Sequence, residues 1–273
     1  MAKNQKQQKK GKQFTGVKSS GLIIIACFVL AECIYNYIFG APSHFVNGDH
    51  NNVPITGDLL GTVYKGGFIV PIIQTLLLTV LALSVERFFA IKSAQGKGKL
   101  PKFVEEIKSS LSKGDLKGAT EICDKQRGSV GNVVTSALVK YAEVEEDKSL
   151  SKEQQILAIQ KEVEEATALE LPMLSQNLPI IATITTLGTL MGLLGTVIGM
   201  IKSFSSLAGA GGTDSVALSA GISEALVNTA FGIATGALAV ISYNYFTSKI
   251  DTITFCIDEV GFSIVQSFAA SHK

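Results

Sequence analysis

Thr185, Thr189, Gly192, Thr196, Gly199 and Ser203 recur three or four residues apart in an otherwise apolar run. On a helix turning about 100° per residue they fall within about 40° of one line. A stripe of hydroxyls in an apolar setting suits a hydrated path, or a groove for a polar partner helix. It suits close helix packing equally well, because small residues admit a neighbouring backbone and Ser and Thr bond back to their own helix. A second stripe holds Glu224, Asn228, Gly232, Thr235 and Ala239, within about 60° of a line. Thr229 lies about 140° from Glu224, so the two do not face one axis equally. Glu224 is the only acid between Asp214 and Asp251. A carboxylate inside a membrane segment is a functional candidate, and one near the outer surface is an ordinary interfacial residue. Neither stripe holds a His, Lys or Arg for a relay, or a second carboxylate. If protons pass here, the main titrating group comes from another chain.

Other chemistries find little support. Cys27, Cys33, Cys123 and Cys256 are far apart and form no C-x-x-C, so neither a disulfide framework nor a zinc site is expected. His44 and His50 share a segment with Asp49 and Asp58, but their spacing matches no metal motif and reads as solvated loop. There is no phosphate-binding G-x-x-x-x-G-K-[ST], and no Ser/His/Asp or Cys/His set. No cofactor, metal or enzymatic reaction is expected. A formal net charge of +1 gives no reason to expect nucleic acid as a partner.

The elements that carry the stripes follow from where charge is missing. Only 17% of the residues are charged, against about 25% in ordinary soluble domains. Gly66–Val85, Leu171–Ile201 and Ala225–Ser248 contain no charge at all. Each is long enough for a helix to cross a hydrocarbon layer, which takes about 20 apolar residues. Gly21–Phe39 is a fourth hydrophobic stretch, interrupted by Glu32. It reads as a retained helix, because apolar residues continue beyond Glu32, or alternatively as a cleaved signal peptide. Retained, it places Glu32 against other protein.

The expected fold class is therefore an all-α polytopic membrane protein. It has three core transmembrane helices, an additional N-terminal one and a helical cytoplasmic domain. Residues 1–20 form a basic N-terminus, 21–39 the first helix and 40–66 a periplasmic loop. A transmembrane helix covers 67–91, and 92–177 is the cytoplasmic domain. Two further membrane helices are 178–204 and 216–247, joined by a short glycine-rich loop at 205–215, and 248–273 is a cytoplasmic tail. Twenty of the 24 basic residues fall in 1–18 and 87–161, which places both termini and the soluble domain in the cytoplasm. Within that domain, Leu100–Ser112, a helix capped by Asp115 and Asn132–Val144 read as helices. Ser151 with Gln154 resembles a capping box opening a long helix. Its expected buried face is Ile156, Ile159, Val163, Ala166 and Leu169, and it is expected to run through Pro172 and Pro179 into the membrane with a kink near one of them. Spaced Ile253, Ile257 and Val260 suit an amphipathic helix in the tail.

Two runs carry a resemblance, Gly192-Leu-Leu-Gly-Thr-Val-Ile-Gly-Met-Ile201 and Gly221-Ile-Ser-Glu-Ala-Leu-Val-Asn-Thr-Ala230. The pair resembles the ExbB/TolQ/MotA proton-channel family, and its ExbB-like members above all. The resemblance implies a multi-pass subunit of the bacterial inner membrane, assembled as a homopentamer around a pore lined by the last two helices. It implies a single-helix ExbD- or TolR-like partner carrying a membrane aspartate, and a TonB-like protein that opens outer-membrane transporters. Under it, Thr196 and Thr229 are pore hydroxyls facing that aspartate and Glu224 is the family's membrane glutamate. Thr189 and Asn228 complete the polar set. One departure is plain: Gly188-Thr189 stand where the family often has Ala-Pro, which lengthens the hydroxyl stripe and removes a proline kink.

Overall fold

The computed structural model describes residues 20–50, 52–209 and 215–272. The basic segment up to residue 19, and 210–214 of the glycine-rich connector, lie outside the described residues. Among the described residues every regular element is a helix, and Phe45 and Pro54 form an isolated antiparallel bridge. Four helical stretches are long and apolar enough to cross a membrane: Ser20–Phe39, and spans within Ile69–Ser112, Lys152–Ala208 and Leu218–Ser271. The protein is an all-α polytopic membrane protein. Its helices divide between two compact units, one made of Glu86–Gln176 with 246–272, the other of 20–85 with Asn177–Tyr245.

In the first unit, α4 spans Leu100–Ser112, the expected stretch, and buries Leu100, Phe103, Val104, Ile107 and Leu111. Gly114 turns the chain at φ 71°. Asp115 then caps α5 (Leu116–Gln126), its carboxylate accepting from the Gly118 N–H at 2.8 Å. Helix α6 runs Gly128–Glu146, longer than expected at both ends. Ser151 and Gln154 make the reciprocal capping box that opens α7 (Lys152–Ser175). The buried face of α7 departs from the expected one. Ile159, Thr167, Glu170 and Leu174 are buried, while Leu169 is 78% exposed. The interface is centred beyond the line drawn from apolar residues alone, because its polar members find partners. Thr167 Oγ1 donates to Val163 O at 2.7 Å, and Asn132 Nδ2 donates to Glu170 Oε1 at 3.2 Å.

The expected break falls between the two prolines, at Gln176–Asn177, and separates two helices where a single kinked one was expected. Pro172 is accommodated within α7, and the helix ends at Ser175. The chain turns at Asn177 (φ 66°), and α8 (Leu178–Gly209) starts with Pro179 in its first turn, where a missing N–H costs nothing. Arg87, fully buried, satisfies carbonyls that the end of α7 leaves without helical donors. Its Nη1 donates to Met173 O at 3.0 Å and to Leu174 O at 3.3 Å. Its Nε and Nη2 donate to the Glu86 carboxylate, the former at 2.6 Å.

The last helix is longer than expected. Nothing at Thr247-Ser248 breaks it, so α9 runs unbroken from Ser215 to Ser271. Its far end joins the first unit through Ile253, Ile257, Val260, Ile264 and Phe268, all buried. The Phe268 ring meets Tyr141 edge-on at 4.8 Å, and Lys108 Nζ pairs with Glu259 at 2.6 Å.

In the second unit, α1 (Ser20–Cys33) continues as a π-helical turn, Ile34–Phe39. Glu32 accepts from Asn36 Nδ2 at 3.2 Å, one turn on in the same segment. The Tyr35 ring stacks on Tyr64 at 4.7 Å, and its hydroxyl donates to Tyr64 O at 2.9 Å. Tyr64 closes α2 (Leu59–Tyr64), a short helix inside what the sequence suggested was plain loop. Asp58 caps it, accepting from the Gly61 N–H at 3.0 Å, while His44 Nδ1 lies 2.7 Å from Asp58 Oδ2. Helix α3 (Ile69–Gln95) follows the Gly66–Gly67 turn.

Candidate functional site

Helices α8 and α9 pack along a ladder of small residues. Gly188 lies against Gly232, Thr235 and Gly236; Gly192 against Asn228, Thr229 and Gly232; Gly199 against Ala225; Ser203 against Gly221. Contacts step down one helix as they step up the other, so the pair is antiparallel. A side-chain carbon on Gly232 would stand 2.6 Å from Gly188 O and 2.7 Å from Gly192 Cα. The stripe's glycines therefore belong to packing, as small residues at membrane helix contacts do.

Its hydroxyls bond back to backbone. Thr189 Oγ1 donates to Thr185 O at 3.4 Å, and Ser203 Oγ to Gly199 O at 2.9 Å. Thr196 and Thr229 stand apart from the rest. Thr196 Oγ1 reaches Gly192 O of its own helix at 3.2 Å and Ala225 O of α9 at 3.5 Å. Thr229 Oγ1 lies 3.3 Å from both Ala225 O and Gly192 O. The two hydroxyls contact each other, and both residues are half-buried. Among the described residues, no carboxylate, lysine or histidine makes a hydrogen bond or ion pair with either.

The other two sequence-selected residues form a separate cluster on another face of α9. Glu224, its side chain 15% exposed, pairs with Lys202 Nζ at 2.9 Å. A side chain on Gly67 (φ 73°) would come within 3.0 Å of Glu224 Oε1. One turn on, Asn228 is buried at 1% exposure and donates from Nδ2 to Gly66 O at 2.9 Å. Its Oδ1 has no hydrogen-bond partner among the described residues. Gly195 makes room for it, since a side chain there would stand 2.5 Å from Asn228 Cβ. Nearby, burial pushes the Lys65 ammonium below its ordinary pKa, against the pull of Asp49 and Glu224.

Five candidates thus divide into two groups: Thr189, Thr196 and Thr229 at the α8–α9 contact, Glu224 and Asn228 at the Gly66–Gly67 turn. Sequence reasoning gave no role to Lys202, which lies near the end of the expected helix 178–204. The signal was present: with Ser203 opposite Gly221 in an antiparallel pair, Lys202 falls within reach of Glu224.

Residues 132–259 match the model of the MotA/TolQ/ExbB proton channel family, a stretch holding all five candidates. Over that stretch, just under half of its length, the chain is similar to this family. Relatives agree. The chain is 40% identical to the biopolymer transport protein ExbB-like 3 of Synechocystis sp. over 32% of its own length and 42% of that protein's. It is 27% identical to the Tol-Pal system protein TolQ of Pseudomonas aeruginosa over 65% of this chain and 79% of that one. It is 27% identical to the biopolymer transport protein ExbB of Pseudomonas putida over 69% of this chain and 56% of that one. The family is one of proton channels rather than an enzyme class. Helices α1 to α5 lie outside the matched stretch.

Proposed function

We propose that this chain is the ExbB-like subunit of a proton-driven inner-membrane motor that energises TonB-dependent outer-membrane transport. The observation that carries the reading is the Thr196–Thr229 hydroxyl contact between the two helices of the family's matched stretch. Those hydroxyls pass or orient a proton but do not hold one near neutral pH, and among the described residues no ionisable side chain bonds to them. A lane of this kind needs an acid from outside. The membrane aspartate of an ExbD- or TolR-like single-helix partner supplies it, with five copies of this chain surrounding that partner. Thr189 extends the lane along α8. Glu224 and Asn228 belong to the pathway as its flank, setting where α9 stands. Residues 21–39 remain as a first membrane helix, 92–177 lies in the cytoplasm and the C-terminus is cytoplasmic, as the lysine and arginine distribution favours.

A TolQ-like role is the second reading, favoured by the greater share of the Pseudomonas aeruginosa TolQ that aligns. The matched family model also covers MotA, which leaves a flagellar-type stator as a further reading, and the glycine packing with back-bonded hydroxyls alone suits a non-conducting scaffold. Complementation separates these readings. Expressed with its own partner subunit, the chain restores growth on scarce iron to cells lacking ExbB, and Thr196→Ala and Glu224→Ala abolish the rescue. Rescue only of cells lacking TolQ assigns the second reading. Full rescue by both variants refutes the site assignment.

A further inference from the structure

Glu224 and Asn228 are one turn apart on α9, and both meet the turn that leads into α3. Asn228 donates to Gly66 O at 2.9 Å, and a side-chain carbon on Gly67 (φ 73°) would stand 3.0 Å from the Glu224 carboxylate. Lys202, from α8, closes on the same carboxylate at 2.9 Å. Three segments are thereby tied at one point. Thr229 is on the same helix, about 140° round from Glu224.

We infer that Lys202 is a positioning residue, which with Glu224, Asn228 and the Gly66–Gly67 turn clamps α9 in rotation and so aims Thr229 at Thr196. The inference rests on the lane reading and gives the second polar cluster its role. Geometry sets the sensitivity. A side-chain oxygen lies about 5 Å from the helix axis, so a turn of α9 by about 20° moves it about 2 Å. That displacement takes a hydroxyl contact beyond hydrogen-bond range. Glu224 then works by being held to Lys202, not by carrying protons itself. Any residue that keeps the clamp closed keeps the lane intact.

The test uses the chain assembled with its partner subunit in liposomes, with two readouts. Proton flux reports the lane. Oxidative cross-linking of a Thr196→Cys, Thr229→Cys pair, against each single cysteine variant, reports the aim of α9 independently of conduction. Lys202→Met lowers cross-linking and cuts flux about tenfold or more, the scale of a misplacement near 1 Å. Lys202→Arg keeps both. Lys202→Glu loses both, and adding Glu224→Lys restores them by re-forming the pair with reversed sign. Equal cross-linking in the parent and Lys202→Met overturns the clamp, as does failure of the reversed pair to restore it. Reduced cross-linking beside a flux unaffected in every variant, Thr196→Val included, keeps the clamp and refutes the channel reading.

Discussion

Gly232→Ala sets two known effects against each other on one helix. In a helix interior alanine is favoured over glycine by about 1 kcal/mol, so on propensity alone the variant gains stability. Here the added carbon meets three backbone atoms within 3 Å: Gly188 O at 2.6 Å, Gly192 Cα at 2.7 Å and Gly192 N at 2.9 Å. Backbone does not swing aside as a side chain does, so α8 and α9 must separate or shift. Overpacking of this kind costs about 1–3 kcal/mol, and three backbone clashes put it near the upper end. The expected net is a destabilisation of about 1–2 kcal/mol. Thermal unfolding of the detergent-solubilised assembly measures it, with a midpoint several degrees lower, at about 2–4 °C per kcal/mol. Gly21→Ala is the internal control, because nothing stands within 4 Å of a side chain added there, and it leaves the midpoint unchanged or higher. A Gly232→Ala variant as stable as its parent refutes the ladder as the basis of α8–α9 packing.

Other consequences follow from the same geometry. Arg87→Met leaves the buried Glu86 carboxylate without its guanidinium and the Met173 and Leu174 carbonyls without their donor, a loss of about 3–5 kcal/mol in unfolding free energy. Adding Glu86→Leu recovers part of it, and a cost for Arg87→Met below about 1 kcal/mol contradicts the assigned role. The Gly61 N–H, followed by His44, holds the Asp58 carboxyl below the usual carboxylate range. A group depressed on folding stabilises above its unfolded pKa of about 3.9 and loses that contribution as pH falls through the folded value. Protection factors of the Leu59–Tyr64 amides, corrected for intrinsic exchange, therefore fall below about pH 4, and Asp58→Asn removes that dependence. Pronounced protection of these amides at pH 3 in the parent contradicts the cap.

Much of this architecture was legible because it rests on local signals. The charge-free blocks placed α3, α8 and the membrane part of α9. The phenylalanine and isoleucine spacing of Leu100–Ser112, the Asp115 cap and the Ser151–Gln154 box each operate within four residues. What escaped the sequence depends on distant residues. Arg87 binds carbonyls 86 and 87 positions away, and Asn228 reaches back 162 positions to Gly66. Leu169 seemed a core residue until Glu170 and Thr167, each with a partner, took the interface. From its sequence the stripe on α8 suits both packing and lining a path, and its packing role is the one the facing helix bears out. Only the facing helix separates its glycines, which pack, from Thr196, which meets Thr229.

Proton flux through the chain reconstituted with its partner subunit in liposomes, compared among the parent, Thr196→Val and Thr229→Val, tests the central claim most directly. Each valine preserves shape and removes one hydroxyl of the contacting pair. The account predicts measurable flux in the parent and a fall of about tenfold or more in each variant. Flux in both variants equal to that of the parent contradicts it.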